Sequence, residues 1–263
     1  MHVDSALKDV LNSKNVTMEV GIPRTRVVMT GACNGSNKEF TLAAADYPIY
    51  PQRGMGLTPE PDDVTVELVE TGGESPVYTE VVVDSIDTVT DTDTGDLVYG
   101  QVTLHEAPAA TVDQVVITYY ELLRPYIAQS LKIDIKQDST EVGELGSEIK
   151  RTSYAGQTIT VSQDSIFSDF DVDKKLLFET YSGGYSVQSG YDAYTMITEP
   201  ATRLVRIPLY TGAANDGGGT FLGCYYFNGK IVPKSLGDVK DGDNMTRSLE
   251  FSVDATPILI VPE

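Results

Sequence analysis

The chain has 263 residues, of which 39 are acidic and 19 basic, so its formal net charge is −20. This charge excludes a protein that grips nucleic acid or docks on anionic membranes, because both tasks need clustered lysine and arginine. The length allows one large all-β domain or two smaller ones, each able to bury a core. Two cysteines, Cys33 and Cys224, are too few for a disulfide framework or a zinc site, and we expect buried thiols.

Acidic residues outnumber basic ones along the whole chain, without an acidic tail. A dense shell of carboxylates with few lysines keeps a protein hydrated at molar salt, as in halophiles. We therefore predict a halophilic source and a stability that rises with salt. The first residues lack the basic and apolar regions of a secretory signal, and no apolar run is long enough to span a membrane. We expect neither feature.

In chain order, the first predicted element is a short helix that Asp4 caps and that ends near Asn12. Alternating apolar and polar residues, which place successive side chains on opposite faces of a strand, dominate the rest of the chain. In the clearest case Leu131, Ile133 and Ile135 form one face, and Lys132, Asp134 and Lys136 form the other. The predicted strands are 26–30, 39–42, 64–68, 79–89, 97–104, 114–121, 131–137, 157–162, 203–209, 222–227, 248–254 and 258–261.

Turn-forming residues separate these strands. Residues 34–37 predict a turn, and residues 91–95 predict the tip of a hairpin, because Asp, Asn and Gly adopt the backbone angles that tight turns need. A second helix is predicted from a capping Asp164 to about Phe178, with lysines near its C-terminal end.

The strand pattern divides the chain near residue 128. It predicts an N-terminal arm with the short helix (1–25), an inserted or outer β-domain (26–127) and a second β series (128–263). The second series contains two long polar segments, 139–156 and 182–202, which we predict to be loops. Long polar loops within a compact domain are usually functional or become ordered against a partner.

Catalytic groups are scarce, and we expect no enzyme. His105 follows a predicted strand, but no Gly-x-Ser-x-Gly motif accompanies it to support a Ser-His-Asp site. A carboxylate pair for glycoside hydrolysis has no distinguishing signature among so many acids, and the chain lacks a tryptophan platform. The Asp-rich turns at 91–96 and 238–244 match no EF-hand, so solvated turns are favoured over calcium sites. We predict no cofactor and no metal.

Two groups of residues are candidates for contacts. A segment rich in Gly, Ser and Tyr is typical of adaptable contact surfaces, and it holds Tyr181, Tyr185, Tyr191 and Tyr194. An acidic group follows the 131–137 strand, namely Asp134, Asp138, Glu141, Glu144 and Glu148. If copies of this strand closed into a ring, these carboxylates would coat a channel and repel the DNA phosphate backbone from its wall. On an ordinary solvated face they need no explanation.

The order of elements in the C-terminal half carries a family resemblance. Residues 130–163, followed by the predicted helix, resemble the early strands and packing helix of the major tail tube proteins of tailed viruses. Residues 221–254 resemble the closing segment of that family, with a strand pair, a polar turn at 238–244 and a last strand from Thr246. Residues 26–126 depart from a minimal tail tube subunit and look like an added β-domain. With the acidic composition, the resemblance points to a virus of a haloarchaeon.

The resemblance implies a mainly β, tail-tube-like sandwich or barrel with one packing helix. Subunits of this family form hexameric rings that stack into a tube, and each lends two hairpins to a continuous inner barrel. The implied partners are other copies of the chain, the tape measure protein, other tail proteins at the tube ends and passing DNA, which is not bound adhesively. The implied location is the virion tail, assembled from protein made in the host cytoplasm. The tyrosine group, the arm and the two loops are candidates for contacts between rings.

Two other interpretations fit the same residues. A different β-rich virion or surface binding module, such as a capsid-decoration, baseplate or cell-surface domain, would share the strands and the acidity. A β-sandwich hydrolase would require a catalytic role for His105 or for a carboxylate pair. Ring or filament formation distinguishes a tail tube subunit from both.

Overall fold

The structure is a computed structural model, and it describes residues 18–46, 48–52, 58–73, 75–92, 95–123, 127–143, 150–166, 171–180, 193–197, 201–211, 220–238, 246–253 and 257–261. The fold is mainly β with one α-helix in the described ranges, which confirms the predicted class. The strands are β1 (Glu19–Val28), β2 (Glu39–Thr41), β3 (Thr65–Glu70), β4 (Val77–Val81), β5 (Val83–Thr90), β6 (Leu97–Leu104), β7 (Gln114–Leu123), β8 (Ile127–Gly143), β9 (Lys150–Ile166), β10 (Phe178–Thr180), β11 (Tyr194–Met196), β12 (Thr202–Thr211), β13 (Thr220–Asp238), β14 (Thr246–Val253) and β15 (Ile258–Ile260). The helix is α1 (Asp171–Leu176), and short 3-10 turns occur at Ala44–Asp46 and Pro61–Asp63.

The chain forms two compact units. The middle unit is Gly21–Leu123, and the terminal unit combines Met1–Val20 with Arg124–Glu263. The middle unit contains 17 acidic and 4 basic residues, a net charge of −13, whereas the terminal unit has a net charge of −7. The acidity is therefore denser in the middle unit than the even spread expected from the sequence.

The middle unit packs two groups of antiparallel strands around one apolar core. One group has the strand order β4-β3-β7-β1, and the other has the order β2-β6-β5. Alternate residues of each strand point inward, so both groups contribute to a single cluster. Its buried members are Met29, Phe40, Leu42, Ile49, Val64, Val66, Ile86, Val102, Leu104, Val115, Ile117 and Tyr119.

Both predicted turns of the middle unit are confirmed. The Asn34 side-chain oxygen accepts hydrogen bonds from the backbone N–H groups of Ser36 and Asn37, at 2.9 and 2.8 Å, and β2 follows. At the tip between β5 and β6, Gly95 has a φ of 79°, and its N–H donates to the Asp91 carbonyl at 2.8 Å. Glycine adopts this positive φ without steric cost, which is why the hairpin turns there.

The terminal unit is built on a sheet with the strand order β12-β13-β14-β9-β8, and β15 also pairs with β13. All pairings between these strands are antiparallel. Opposite residues share a face, so Val161 on β9, Phe251 on β14 and Ile231 on β13 form one continuous apolar row. All three side chains are fully buried, and they define the core face of this sheet.

The segment 139–156, predicted to be a loop, is largely strand. β8 runs on to Gly143 and β9 begins at Lys150, and Glu141 lies opposite Thr152 in their ladder. The prediction was wrong because it took polarity as a sign of a loop. Two polar strands satisfy each other's backbone groups, and this stretch contains β-branched residues that suit extended backbone. In the segment 182–202, the described residues include β11, which pairs with β10.

The second predicted helix begins later than expected. Asp164 lies within β9, where its Oδ2 accepts a hydrogen bond from the Ser130 hydroxyl at 2.8 Å, so it caps no helix. β9 has partners on both sides up to Ile166, and those ladders outcompete local helix formation. In the described ranges the helix spans Asp171–Leu176. The predicted helix at 4–12 lies outside the described residues.

Candidate functional site

The predicted acidic group is centred on β8. The Asp134 side chain is half-buried, and its Oδ2 lies 2.7 Å from the Lys132 Nζ. Asp138 and Glu141 belong to β8, opposite Gly156 and Thr152 respectively. Glu144 and Glu148 lie outside the described residues, so the structure does not bring the five carboxylates together as a group.

The described polar face around Asp134 carries more positive than negative charge. Asp134 has Lys132 and Lys136 as its neighbours on the same face of β8. The residues opposite these three are Ser162, Thr160 and Thr158, all hydroxyl-bearing. This part of the face is therefore mixed in charge and rich in hydroxyl groups. A negatively charged channel wall would depend on the acidic residues that follow along the chain, from Asp138 to Glu148.

The apolar face of β8 is unusually accessible to solvent. Ile133 and Ile135 lie opposite the buried Val161 and Ile159 of β9, so they belong to the core face of the sheet. Both isoleucines are nevertheless exposed, and Ile135 retains 61% of its accessible surface. The core face therefore extends past the covered part of the unit and ends in two isoleucines open to solvent.

β8 is also the last strand of its sheet. Its inner edge pairs with β9 along nearly all of its 17 residues. No strand in the described ranges pairs with its outer edge. An edge strand presents a row of backbone N–H and C=O groups that can pair with another chain. This long edge strand, which itself carries two exposed isoleucines, is the strongest candidate for a functional surface in the described structure.

Of the four predicted contact tyrosines, the structure describes Tyr194. It begins β11, its side chain is exposed, and the Lys174 Nζ lies 5.4 Å from its ring centroid. Lys174 belongs to the last turn of α1, so the contact links the helix to the β10–β11 pair. Tyr181, Tyr185 and Tyr191 lie outside the described residues.

The histidine considered for catalysis lies on the surface. His105 is exposed, and its Nδ1 lies 2.9 Å from the Asp84 Oδ1. Both cysteines are free thiols, and burial raises the pKa of Cys33 and raises the pKa of Cys224 to about 11. Within the described residues, no cluster of three or more His, Cys, Asp or Glu side chains has a geometry that could hold a metal.

Two polar clusters, one buried and one partly buried, were not predicted from the sequence. In the terminal unit the Arg206 guanidinium forms an ion pair with Glu19, and both side chains are almost fully buried. In the middle unit Arg24 forms an ion pair with Asp46, while the Tyr119 hydroxyl donates to the Asp46 carbonyl at 2.6 Å. Burial raises the pKa of Tyr119. Partners so distant in sequence leave no local pattern, so only the fold reveals these clusters.

A scan against protein-family models and a search of curated proteins both found no match to this chain. No helix in the described part of the chain is long and apolar enough to cross a membrane.

Proposed function

We propose that this chain is a structural virion protein that assembles into the stacked hexameric rings of a viral tail tube. The observation that supports this proposal best is the outer edge of β8, which lacks a partner among the described strands and carries the exposed Ile133 and Ile135. The order of elements in residues 130–163 and 221–254, which resembles that of tail tube proteins, is the second support.

Edge-strand pairing explains how such a subunit forms a ring. A second copy that adds a strand to β8 satisfies the free backbone groups and covers the isoleucines in one step. When the two contacting surfaces differ, the contact repeats from copy to copy and closes into a ring if the rotation allows. A closed ring then has no exposed sheet edge left, which removes the risk of uncontrolled aggregation.

The proposed tube is a conduit for genome delivery rather than an enzyme. Passing DNA is not bound, because a chain with a net charge of −20 repels phosphate. The wall is proposed to include Asp134, Asp138, Glu141, Glu144 and Glu148. Its other partners are the tape measure protein and the tail proteins at the tube ends, in a virion tail assembled from protein made in the host cytoplasm. The source is proposed to be a haloarchaeal virus, and no cofactor is required.

A second candidate is a different β-rich virion or surface module, such as a capsid-decoration or baseplate domain. The observation that favours it is the middle unit, which has its own apolar core and two groups of strands. Such a domain would fold and bind without forming rings, so the state of assembly separates the two candidates.

The variant Ile135→Asp tests the role of β8 in assembly. We expect the wild type to form rings and tubes when it is concentrated in about 2 M KCl, where the screening length is roughly 3 Å or less. The variant should raise the concentration needed for assembly at least about tenfold, equivalent to roughly 1.4 kcal/mol per contact, because a carboxylate would be buried between copies. Light scattering and negative-stain electron microscopy measure both effects.

Leu97→Asp is the matched control. Leu97 is 72% exposed on β6 of the middle unit, so its replacement removes a similarly exposed apolar side chain from the other unit. It should assemble as the wild type does, and both variants should keep the far-ultraviolet circular dichroism of the wild type. If Ile135→Asp assembles as readily as Leu97→Asp, β8 is not the assembly edge.

A further inference from the structure

Among the described residues of the terminal unit, β15 is an exposed apolar strand. Residues 257–261 read Pro-Ile-Leu-Ile-Val and contain no charged side chain. Leu259 and Val261 retain 52% and 59% of their accessible surfaces, and Ile258 is similarly exposed. Exposed apolar runs of this kind are rare in soluble proteins and mark contact surfaces. In so acidic a chain, this segment requires an explanation.

β15 is held in place and is not a loose end. It pairs with β13 in a defined register in which Cys224 lies opposite Ile260, and Cys224 is buried. At Gly223, an added Cβ would lie 2.8 Å from the Ile260 carbonyl oxygen, so only glycine permits this close approach. The sequence therefore positions an apolar strand on the surface and holds it there.

We propose that β15 is the surface that receives β8 of a second copy of this chain. The inference rests on the proposed self-assembly and names the surface that β8 contacts. Leu259 and Val261, which alternate with Ile260 and so share one face, would pack against Ile133 and Ile135 of the neighbouring copy, and the two strand edges would pair through their backbones. Because β8 and β15 are different surfaces of one unit, this contact is head-to-tail and repeats around a ring.

The charges favour a second copy as the occupant. Two chains that each carry a net charge of −20 repel one another, so contact is least costly where carboxylates are scarce. β15 has none, and the described polar face of β8 offers Lys132 and Lys136 beside the single Asp134. This pair of surfaces therefore brings two copies together without adding to their repulsion.

The free edges of the two strands support the same pairing. In the described ranges β15 pairs only with β13, and β8 pairs only with β9, so each has an outer edge with no described partner. β15 has three residues and β8 has 17, so β15 covers only part of β8. A stable interface buries about 800 Å² on each partner, so further contacts along β8 must contribute to the ring.

Cysteine cross-linking between two singly substituted proteins tests this contact. Ile135→Cys and Leu259→Cys, each in a Cys33→Ser background, are mixed at high salt under mild oxidation. Because each protein has only one new thiol, a disulfide between the two variants forms only between copies. We expect this mixture to give at least about tenfold more covalent heterodimer than the control mixture of Ile135→Cys with Leu97→Cys.

The outcomes separate this inference from the proposed function. If the wild type assembles but the two mixtures cross-link equally, the β8–β15 contact is wrong and the tail tube proposal stands. If the heterodimer forms but no rings do, the contact stands and the tail tube proposal fails. If neither rings nor the heterodimer form, both are wrong.

A glycine variant provides a second measurement. Gly223→Ala should displace β15 and raise the concentration needed for assembly several-fold. Gly72→Ala, where an added Cβ meets no atom within 4 Å, should leave it unchanged. Equal assembly by the two variants would overturn the role assigned to β15.

Discussion

Replacing Arg206 by methionine is expected to lower the free energy of unfolding by about 3–5 kcal/mol, the usual loss when one partner of a buried ion pair is removed. The Arg206 and Glu19 side chains are only 5% and 3% exposed. Without the guanidinium, the Glu19 carboxylate would remain buried and would lose the opposite charge of Arg206, which compensates for its lost hydration. The terminal unit should therefore be strongly destabilised. Urea denaturation, followed by circular dichroism, measures the loss.

Two control variants show whether burial causes the effect. The double variant Glu19→Leu with Arg206→Met removes both charges and should recover at least about half of the loss. Arg26→Met removes an exposed guanidinium whose Nε lies 2.9 Å from the Glu67 Oε2, and it should cost far less than Arg206→Met because solvent screens this pair. Losses of equal size in Arg206→Met and Arg26→Met would contradict the account.

Raising the salt concentration from about 0.1 M to about 2 M KCl is expected to raise Tm by roughly 10 °C, equivalent to about 3–5 kcal/mol for a chain of this size. Carboxylates that repel one another across the folded surface are screened at high salt, whereas they lie farther apart in the unfolded chain. Differential scanning calorimetry measures Tm. A Tm that does not change with salt would contradict halophilic adaptation.

The salt effect should be concentrated in the middle unit, which carries a net charge of −13 on residues 21–123. Hydrogen exchange at low and high salt should therefore show a larger gain in amide protection there than in the terminal unit. Sucrose stabilises proteins without screening charge and serves as the control. An equal gain in protection in both units would mean that the salt effect does not depend on the local density of negative charge.

Most strands were predictable because alternation is a local property of the sequence. Residues 64–68 and 248–254 each place apolar side chains at every second position, and the structure has β3 and β14 there. The turn at Asn34 and the hairpin at Gly95 were predictable for the same reason, since the turn residues themselves carry the signal.

The errors arise where tertiary pairing decides the structure. Asp164 has the local signature of a helix cap, but ladders to β8 and β14 hold it in a strand. The polar stretch 139–156 has the composition of a loop, but two such stretches that face each other form a hairpin. In both cases the strand pairing that decides the structure involves residues distant in sequence, so a short window of sequence does not reveal it.

The features of the candidate site were even less predictable. Ile133 and Ile135 read as ordinary core residues, because alternation shows which face a side chain shares but not whether that face is covered. The sequence likewise placed the strand at 258–261 without showing that Leu259 stays exposed. Which strand lies at the edge of a sheet depends on the order of strands, and only the fold reveals that order.

Electron microscopy of the purified wild-type chain in about 2 M KCl tests the proposed function most directly. The account predicts hollow tubes of stacked rings, with six-fold symmetry in end views, and a sheet that continues from β8 of one copy into β15 of the next. A chain that stays monomeric or forms only closed trimers at every concentration and salt level would contradict it.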